Sequence, residues 1–519
     1  MTTKQNEMTD GMAAYQLPPV EIFRQEADEA ALAISEEGAE RVKSIIINAT
    51  EGTNAKVSEL KFGISASTLP RRANVTIPSI KVKAGCSHDE WRITLQPRTR
   101  GKAVTREDLE TVTYGVFNTI ARCGHASLST DREDCPTRNH KCLVLQINRA
   151  SRTFLSLRRA FGSEAWREAG GVLPFVVGEG VGGRLVTADL AALPHLLVGG
   201  ATGQGKSVFL HGIIASLLCR QRPEDVKLLL VDTKKVEFGA YARLGKAFLA
   251  QMPDGEDAII NDAGKGFAAL ASLYAEMKLR RKLMEKAGLN FFVMYNGAFA
   301  MRRISAEDGH RHLPRLVMII DEYANIIMTH GRAFEAMVCD LTEKGHEVGI
   351  HLIIATQRPT MQMLTSKIKD AFPARAAFRV GTSIDSRTLI DAEGADVLCG
   401  RGDMIFCHAD GQERLQAPMV SPADIDRLVD YVRKACDAAG CGEGYVLPMP
   451  SVDDDKSGGT RINGAELDPL FEEASRFAKR AKGVTVKKLQ LKFVLGYNRA
   501  TRLLKQLVDA GIVSDEKQG

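Results

Sequence analysis

The stretch Leu196–Leu218, LLVGGATGQGKSVFLHGIIASLL, restricts the fold more than any other part of this sequence. An apolar run, a glycine-rich turn and a second apolar run follow without a break, which reads as strand, turn and helix. Gly200 to Ser207 has the spacing G-x4-G-K-S. Glycines at such a turn let successive backbone N–H groups curl around a phosphate, and the positive end of the following helix adds to the attraction. The expected cradle is Gly200, Ala201, Thr202, Gly203, Gln204, Gly205, Lys206, Ser207 and Val208, holding ATP. Lys206 is expected to neutralise β- and γ-phosphate charge, and the Ser207 hydroxyl to ligate Mg2+.

A phosphate turn of this kind needs an acid at the end of a neighbouring buried strand. RLVMIIDEYANIIM supplies Asp321 and Glu322 directly after the apolar run Leu316–Ile320. Two adjacent carboxylates at a buried strand end require cationic partners. Asp321 is placed to hold the Mg2+ shell, and Glu322 to orient and deprotonate an attacking water. Further on, GIHLIIATQRP ends a strand in Thr356-Gln357-Arg358. Two readings of Gln357 stand: an amide that bonds the γ-phosphate or the water, or a strand-terminating turn before Pro359. The strands HLLVGG, KLLLVD, RLVMIID, HLIIATQ and ARAAFRV alternate with helical stretches across residues 172–445. Such alternation predicts an α/β core around a parallel sheet buried on both faces. GEGVGG at 178–183 precedes a short strand rather than a helix, so a hairpin turn is expected there.

At 519 residues the chain is too long for one core. The pattern divides it into a disordered start at 1–16, a small α/β module at 17–160 and the motor-like core at 161–447. A Gly/Asp/Ser-rich linker at 448–464 and a terminal module at 465–519 complete it. The net charge of +5 says little by itself. No apolar run has the ~18 residues that span a bilayer, and the polar first residues lack a signal-peptide core, so no direct membrane insertion and a cytoplasmic location are expected. Ten cysteines in a chain of this length argue for reduced thiols. Cys123, His125, Cys135, His140 and Cys142 are zinc-capable types without paired spacing, and a polar loop with incidental thiols is the favoured reading.

The terminal module carries its own signal. From Arg476 through Lys505 there are ten basic residues and no acid. Helices are expected at 467–481, 486–493 and 498–510, with Leu503, Leu504 and Leu507 as the buried stripe of the last. Asn498, Arg499, Arg502 and Lys505 would then face outward from the second helix of a helix-turn-helix. Arg pairs with guanine edges and Asn with adenine, whereas Lys487 and Lys488 suit phosphates.

Taken together, PHLLVGGATGQGKSV, LLLVDTKKVEF, VMIIDEYANIIM, GIHLIIATQRP, IKDAFPARAAFRVGTSIDSRTLID and GADVLCGRGDMIF follow the order seen in the FtsK/SpoIIIE family, which this chain resembles over residues 172 to about 445. The ending ELDPLFEEASRFAKRAK…LGYNRATRLLKQLVDAGIVS resembles that family's DNA-reading γ domain. The resemblance implies a RecA-like P-loop ATPase core, a winged helix at the C-terminus, and a hexameric ring that moves double-stranded DNA. It further implies a tyrosine recombinase as a partner, Asn498 and Arg502 as readers of guide sequences, and Lys369 as a channel-facing phosphate contact. ATP in such rings lies between subunits and receives a cation from the neighbour. Here Asp340 and His346 stand where the family carries arginines, which leaves Arg375 and Arg387 as candidates for the trans-acting arginine and Lys344 behind them. Lys505 stands where the family has Glu. Two other functions share the motor fold: a conjugative or plasmid DNA-transfer pump, and a protein-secretion motor, against which the basic helix-turn-helix argues. A DNA-binding protein that uses ATP only as a switch is a third alternative.

Overall fold

The computed structural model describes residues 15–23, the strands and a few connecting positions (86, 102–105 and 108–109) between 75 and 148, residues 153–450 except 254–257, 410 and 442–443, and scattered positions from 461 to 512. The apolar residues from Ile22 to about Ala49 have helical spacing in the sequence, and beyond Phe23 that stretch lies outside the described residues. The chain separates into two compact units, 1–448 and 449–519.

The first unit opens with a four-stranded antiparallel sheet of order β1-β2-β4-β3. Its strands are β1 (Val75–Lys83), β2 (His88–Pro97), β3 (Cys123–Leu128) and β4 (Lys141–Asn148). Pairing of Cys123 with Ile147 puts Cys142 five positions away along β4. At ~3.3 Å per residue the two backbone positions are about 16 Å apart. Cys135 and His140 lie outside the described residues, and among the described residues no group of three or more metal-ligating side chains forms.

A nine-stranded sheet follows. In chain order its elements begin with β5 (Pro174–Glu179), β6 (Leu185–Asp189), β7 (His195–Gly199), α1 (Lys206–Arg220) and β8 (Val226–Val231). Next come α2 (Ala263–Lys286), α3 (Phe292–Ala300), β9 (Arg315–Ile320), α4 (Ala324–Lys344) and β10 (Ile350–Thr356). The unit continues with α5 (Ser366–Ala371), β11 (Ala374–Phe378), α6 (Ser383–Ile390), β12 (Asp403–His408), β13 (Gly411–Gln416) and α7 (Pro422–Ala439). The strand order is β6-β5-β13-β12-β11-β7-β10-β9-β8.

The sheet is only partly parallel. β11, β7, β10, β9 and β8 run parallel, whereas β12, β13, β5 and β6 pair antiparallel. The five strands expected from sequence form the parallel part, and four further strands extend it antiparallel, so the sheet is parallel-rich and mixed. The connections β5–β6 and β12–β13 are short, with room for a hairpin but not for a crossover helix, which makes those two pairs antiparallel. GEGVGG forms the first of these hairpins. Strands β7, β8, β9 and β10 are apolar almost throughout and their residues are nearly all buried, because helices cover both faces. Two apolar clusters result. One centres on Phe175, Phe209, Ile213 and Val317, the other on Leu273, Met318, Tyr323 and Leu352.

In the second unit, α8 (Phe471–Arg480) packs Phe471, Ala474 and Ala478 against Leu489, Leu503 and Leu507, with Leu504 at the edge of that core. Among the described residues no helix is long and apolar enough to cross a membrane.

Candidate nucleotide site

All the elements of the site converge at the carboxyl ends of the parallel strands. β7 delivers the chain to Gly200, whose N–H donates to the Thr356 carbonyl of β10 at 3.2 Å. The Ala201 N–H donates to the Arg379 carbonyl at 2.9 Å, just past β11. The turn is thereby anchored to both neighbouring strands. Gly205 has φ +117, and a Cβ there would lie 2.7 Å from the Gly402 nitrogen. No other residue fits that position. Thr202 and Gly203 are exposed, Ser207 and Val208 half-buried, and Lys206 buried as α1 begins.

Lys206 Nζ donates to the Asp321 carbonyl at 3.0 Å and also bonds Asp321 Oδ1. Both residues are almost wholly buried, at 3% and 1% exposure, so each charge depends on the other. Asp321 Oδ2 is buried without a hydrogen-bond partner. An orphaned carboxylate oxygen beside the first turn of α1 fits one side of a divalent-cation shell, with the Ser207 hydroxyl as the other protein ligand.

Glu322 is held from three directions. Thr356 Oγ1 donates to Oε1 at 2.9 Å, the Gln357 N–H to Oε2 at 3.1 Å, and Lys234 Nζ to Oε2 at 3.1 Å. Gln357 itself accepts from Thr202 Oγ1 at 2.8 Å, so its amide bridges β10 to the glycine turn. Lys206, Asp321, Glu322 and Gln357 thus lie together around the glycine turn that leads into Ser207.

Lys234 was not singled out from sequence. Its signal was present: LLLVDTKK is a buried strand that ends beside the same site. Asp232 Oδ2 accepts the N–H groups of Glu237 at 2.7 Å and Phe238 at 3.0 Å, and this folds the loop that carries Lys234.

The remaining candidates lie elsewhere. Lys369 on α5 and Arg375 on β11 both pair with Asp391. Arg375 also donates to the carbonyls of Phe372 and Lys369, each at 3.0 Å. Burial opposes the Asp391 charge, but its bonds to Lys369 and Arg375 outweigh that and hold its carboxyl below the usual range. Arg387 on α6 pairs with Glu393, and both side chains are largely exposed. Asp340 accepts from Tyr274 at 3.0 Å. Lys488 is exposed, while Lys487, Asn498, Arg499, Arg502 and Lys505 lie outside the described residues.

A glycine turn leading into α1, a lysine bound to a strand-end aspartate, and a glutamate beside it define a P-loop ATPase. Comparison with known proteins narrows the class. The FtsK/SpoIIIE family model matches residues 156–361 and the Ftsk gamma domain model residues 465–519. "DNA translocase FtsK" of Haemophilus influenzae is 32% identical over 469 residues, covering 86% of this chain and 84% of that protein. The protein of the same name from Chlorobaculum tepidum is 36% identical over 364 residues, covering 69% of this chain but 44% of that protein. The chain belongs to the FtsK/SpoIIIE family. It spans about half the length of the Chlorobaculum tepidum relative and of several other curated relatives. Among solved structures, the pCW3 conjugation coupling protein TcpA aligns with a TM-score of 0.46 at 21% identity, over 69% of this chain and 93% of that one.

Proposed function

We propose that this chain is an ATP-driven translocase of double-stranded DNA, acting as a hexameric ring whose C-terminal winged helix reads guide sequences and orients the motor. The observation that carries the reading is the occurrence, in one chain, of a P-loop site with its strand-end acids and of a match to the γ domain. A nucleotide switch that never turns over has no need of a buried glutamate fixed by three donors. A secretion motor has no need of a DNA-reading tail.

The chemistry follows from the contacts. The glycine turn takes the phosphates, and ATP entering the site draws Lys206 from the Asp321 carboxylate toward the β- and γ-oxygens. Asp321 Oδ2 and the Ser207 hydroxyl would hold Mg2+, which supplies charge neutralisation on the phosphates. Glu322 aligns a water and takes its proton, with Lys234, Thr356 and the Gln357 N–H fixing the direction of its carboxylate. Gln357, bonded to Thr202 across the turn, couples loss of the γ-phosphate to the strand end of β10.

Arg387 suits a trans-acting role because its side chain is 61% exposed on α6. Arg375 is the second candidate, though four acceptors of its own chain engage it. Lys369, near the chain reversal at Asp391, is the proposed contact to DNA phosphate. A triplex-displacement assay tests the whole reading. Wild-type protein with ATP should displace a third strand from duplex DNA, faster when the guide sequence points one way than the other. Nucleotide turnover indifferent to added duplex, at low and at moderate salt, overturns it.

A further inference from the structure

A second loop, Cys399–Asp403, closes one side of the glycine turn. The Gly402 N–H donates to the Gln204 carbonyl at 2.8 Å, and the Ala417 N–H to the Gly402 carbonyl at 2.8 Å. Gln416 Nε2 donates to the Arg401 carbonyl at 2.9 Å, and the Cys399 N–H to Asp403 Oδ2 at 2.7 Å. Asp403 is buried and paired with Arg414. The loop is therefore pinned to the phosphate turn at one end and to the core at the other.

Arg401 sits at its tip with φ +52, the left-handed region that L residues with side chains disfavour. Glycine would adopt it freely, yet the position carries a long cation, exposed to solvent. Strain retained around a charged side chain points to a task for that side chain. Arg379 approaches from the end of β11. Its carbonyl accepts the Ala201 N–H, and its side chain runs past Gly400, which also adjoins the Gln204 amide.

Both guanidiniums are exposed, and among the described residues neither has an acidic or hydrogen-bonding partner. Four other cations of this unit are engaged: Lys206 by Asp321, Lys234 by Glu322, Arg375 by Asp391 and Arg414 by Asp403. Two exposed arginines, Arg379 with its carbonyl bonded to the turn and Arg401 next to Gly402, which is bonded to it, flank the anion cradle. Guanidinium groups bind phosphate oxygens in a bidentate manner.

We propose that Arg379 and Arg401 form a cationic rim that contacts the polyphosphate of the ATP bound by their own chain. This rests on the nucleotide site described above, so the experiment separates the two. Binding of a fluorescent ATP analogue is measured by titration on the full chain, with ATP, ADP and adenosine as competitors. Wild type should bind and Lys206→Ala should not; failure of wild type overturns the site and the rim together. With wild type binding, Arg379→Ala and Arg401→Ala should each weaken ATP and ADP about 5–20-fold while leaving adenosine unchanged. Lys in place of Arg401 should recover part of the loss. KM should rise, with kcat at saturation within about twofold of wild type.

Arg401→Gly provides a readout that a structural role would not give. Removing the strain should raise the melting temperature of the nucleotide-free protein by about 1–2 °C while weakening ATP as the alanine variant does. Unchanged ATP affinity in Arg401→Gly overturns the proposal. So does an equal loss for adenosine, which would mean a damaged site. A loss of duplex affinity with ATP unchanged also overturns it and places the arginines on DNA.

Discussion

Lys206 and Asp321 bury opposite charges against each other, so neither is dispensable even without nucleotide. Lys206→Ala should abolish ATP hydrolysis. It should also destabilise the protein by about 3–5 kcal/mol, the cost of leaving one charge of a buried pair alone; chemical denaturation followed by circular dichroism measures that loss. Glu322→Gln should keep nucleotide binding and stop turnover, and normal hydrolysis by that variant would remove Glu322 as the base. Lys234→Ala should slow turnover roughly 10–100-fold with little change in KM, since it frees the carboxylate without touching the phosphate turn. The acids were legible in sequence because an apolar strand ran straight into them. Lys234 was not, because its reach to Glu322 depends on β8 and β9 being neighbours. Buried histidines, His351 among them, tie stability to pH on the acid side. Burial pushes the His351 imidazole down from 6.5 to about 4, with its Nδ1–H donated to the Pro194 carbonyl. The folded state favours the neutral ring, so its contribution is complete above pH 6.5 and is lost as pH falls toward 4. Stability should drop by roughly 2–3 kcal/mol across that window. In His351→Asn the drop should be visibly smaller in pH-dependent denaturation.

At the scale of elements, β10 does the most to assemble the site. It contributes Thr356 to the glutamate and to the glycine turn, and Gln357 to both, because it lies between β7 and β9. α7 is fixed at its start by a reciprocal cap between Ser421 and Asp424. The exit from the first unit is fixed by Tyr445, whose hydroxyl accepts from Arg280 at 2.9 Å and bonds the buried Glu276. That anchor defines where the segment toward the second unit begins. In the second unit, α8 and the leucines at 503 and 507 build the small core on which a recognition helix would rest. Arg502→Ala should cost about 1–3 kcal/mol of discrimination at one base pair and relax sequence preference there. Competition binding of the isolated variants of a short duplex library to the full chain reads this out, and equal affinity of wild type for every duplex would remove the guide-reading role.

For the molecule as a whole, local sequence fixed which segments are strands and helices and where phosphate chemistry resides. Apolar runs of five to seven residues can only be buried strands when helices cover both faces, and the glycine spacing admits few substitutes. Sequence likewise marked the basic, acid-free run Arg476–Lys505 of the terminal module, since charge density needs no contacts to be seen. What the fold alone decided were relations across long separations. The antiparallel half of the sheet is one of them: two of its pairings are short hairpins, and the other two join strands far apart in the chain. Lys234 reached Glu322 across 88 positions, and Arg379 and Arg401 were brought beside the glycine turn by strands distant from it in the chain. Propensity and periodicity act over a few residues. Which strand end adjoins which is set by packing of the complete sheet, and the chemistry of this site depends on that adjacency.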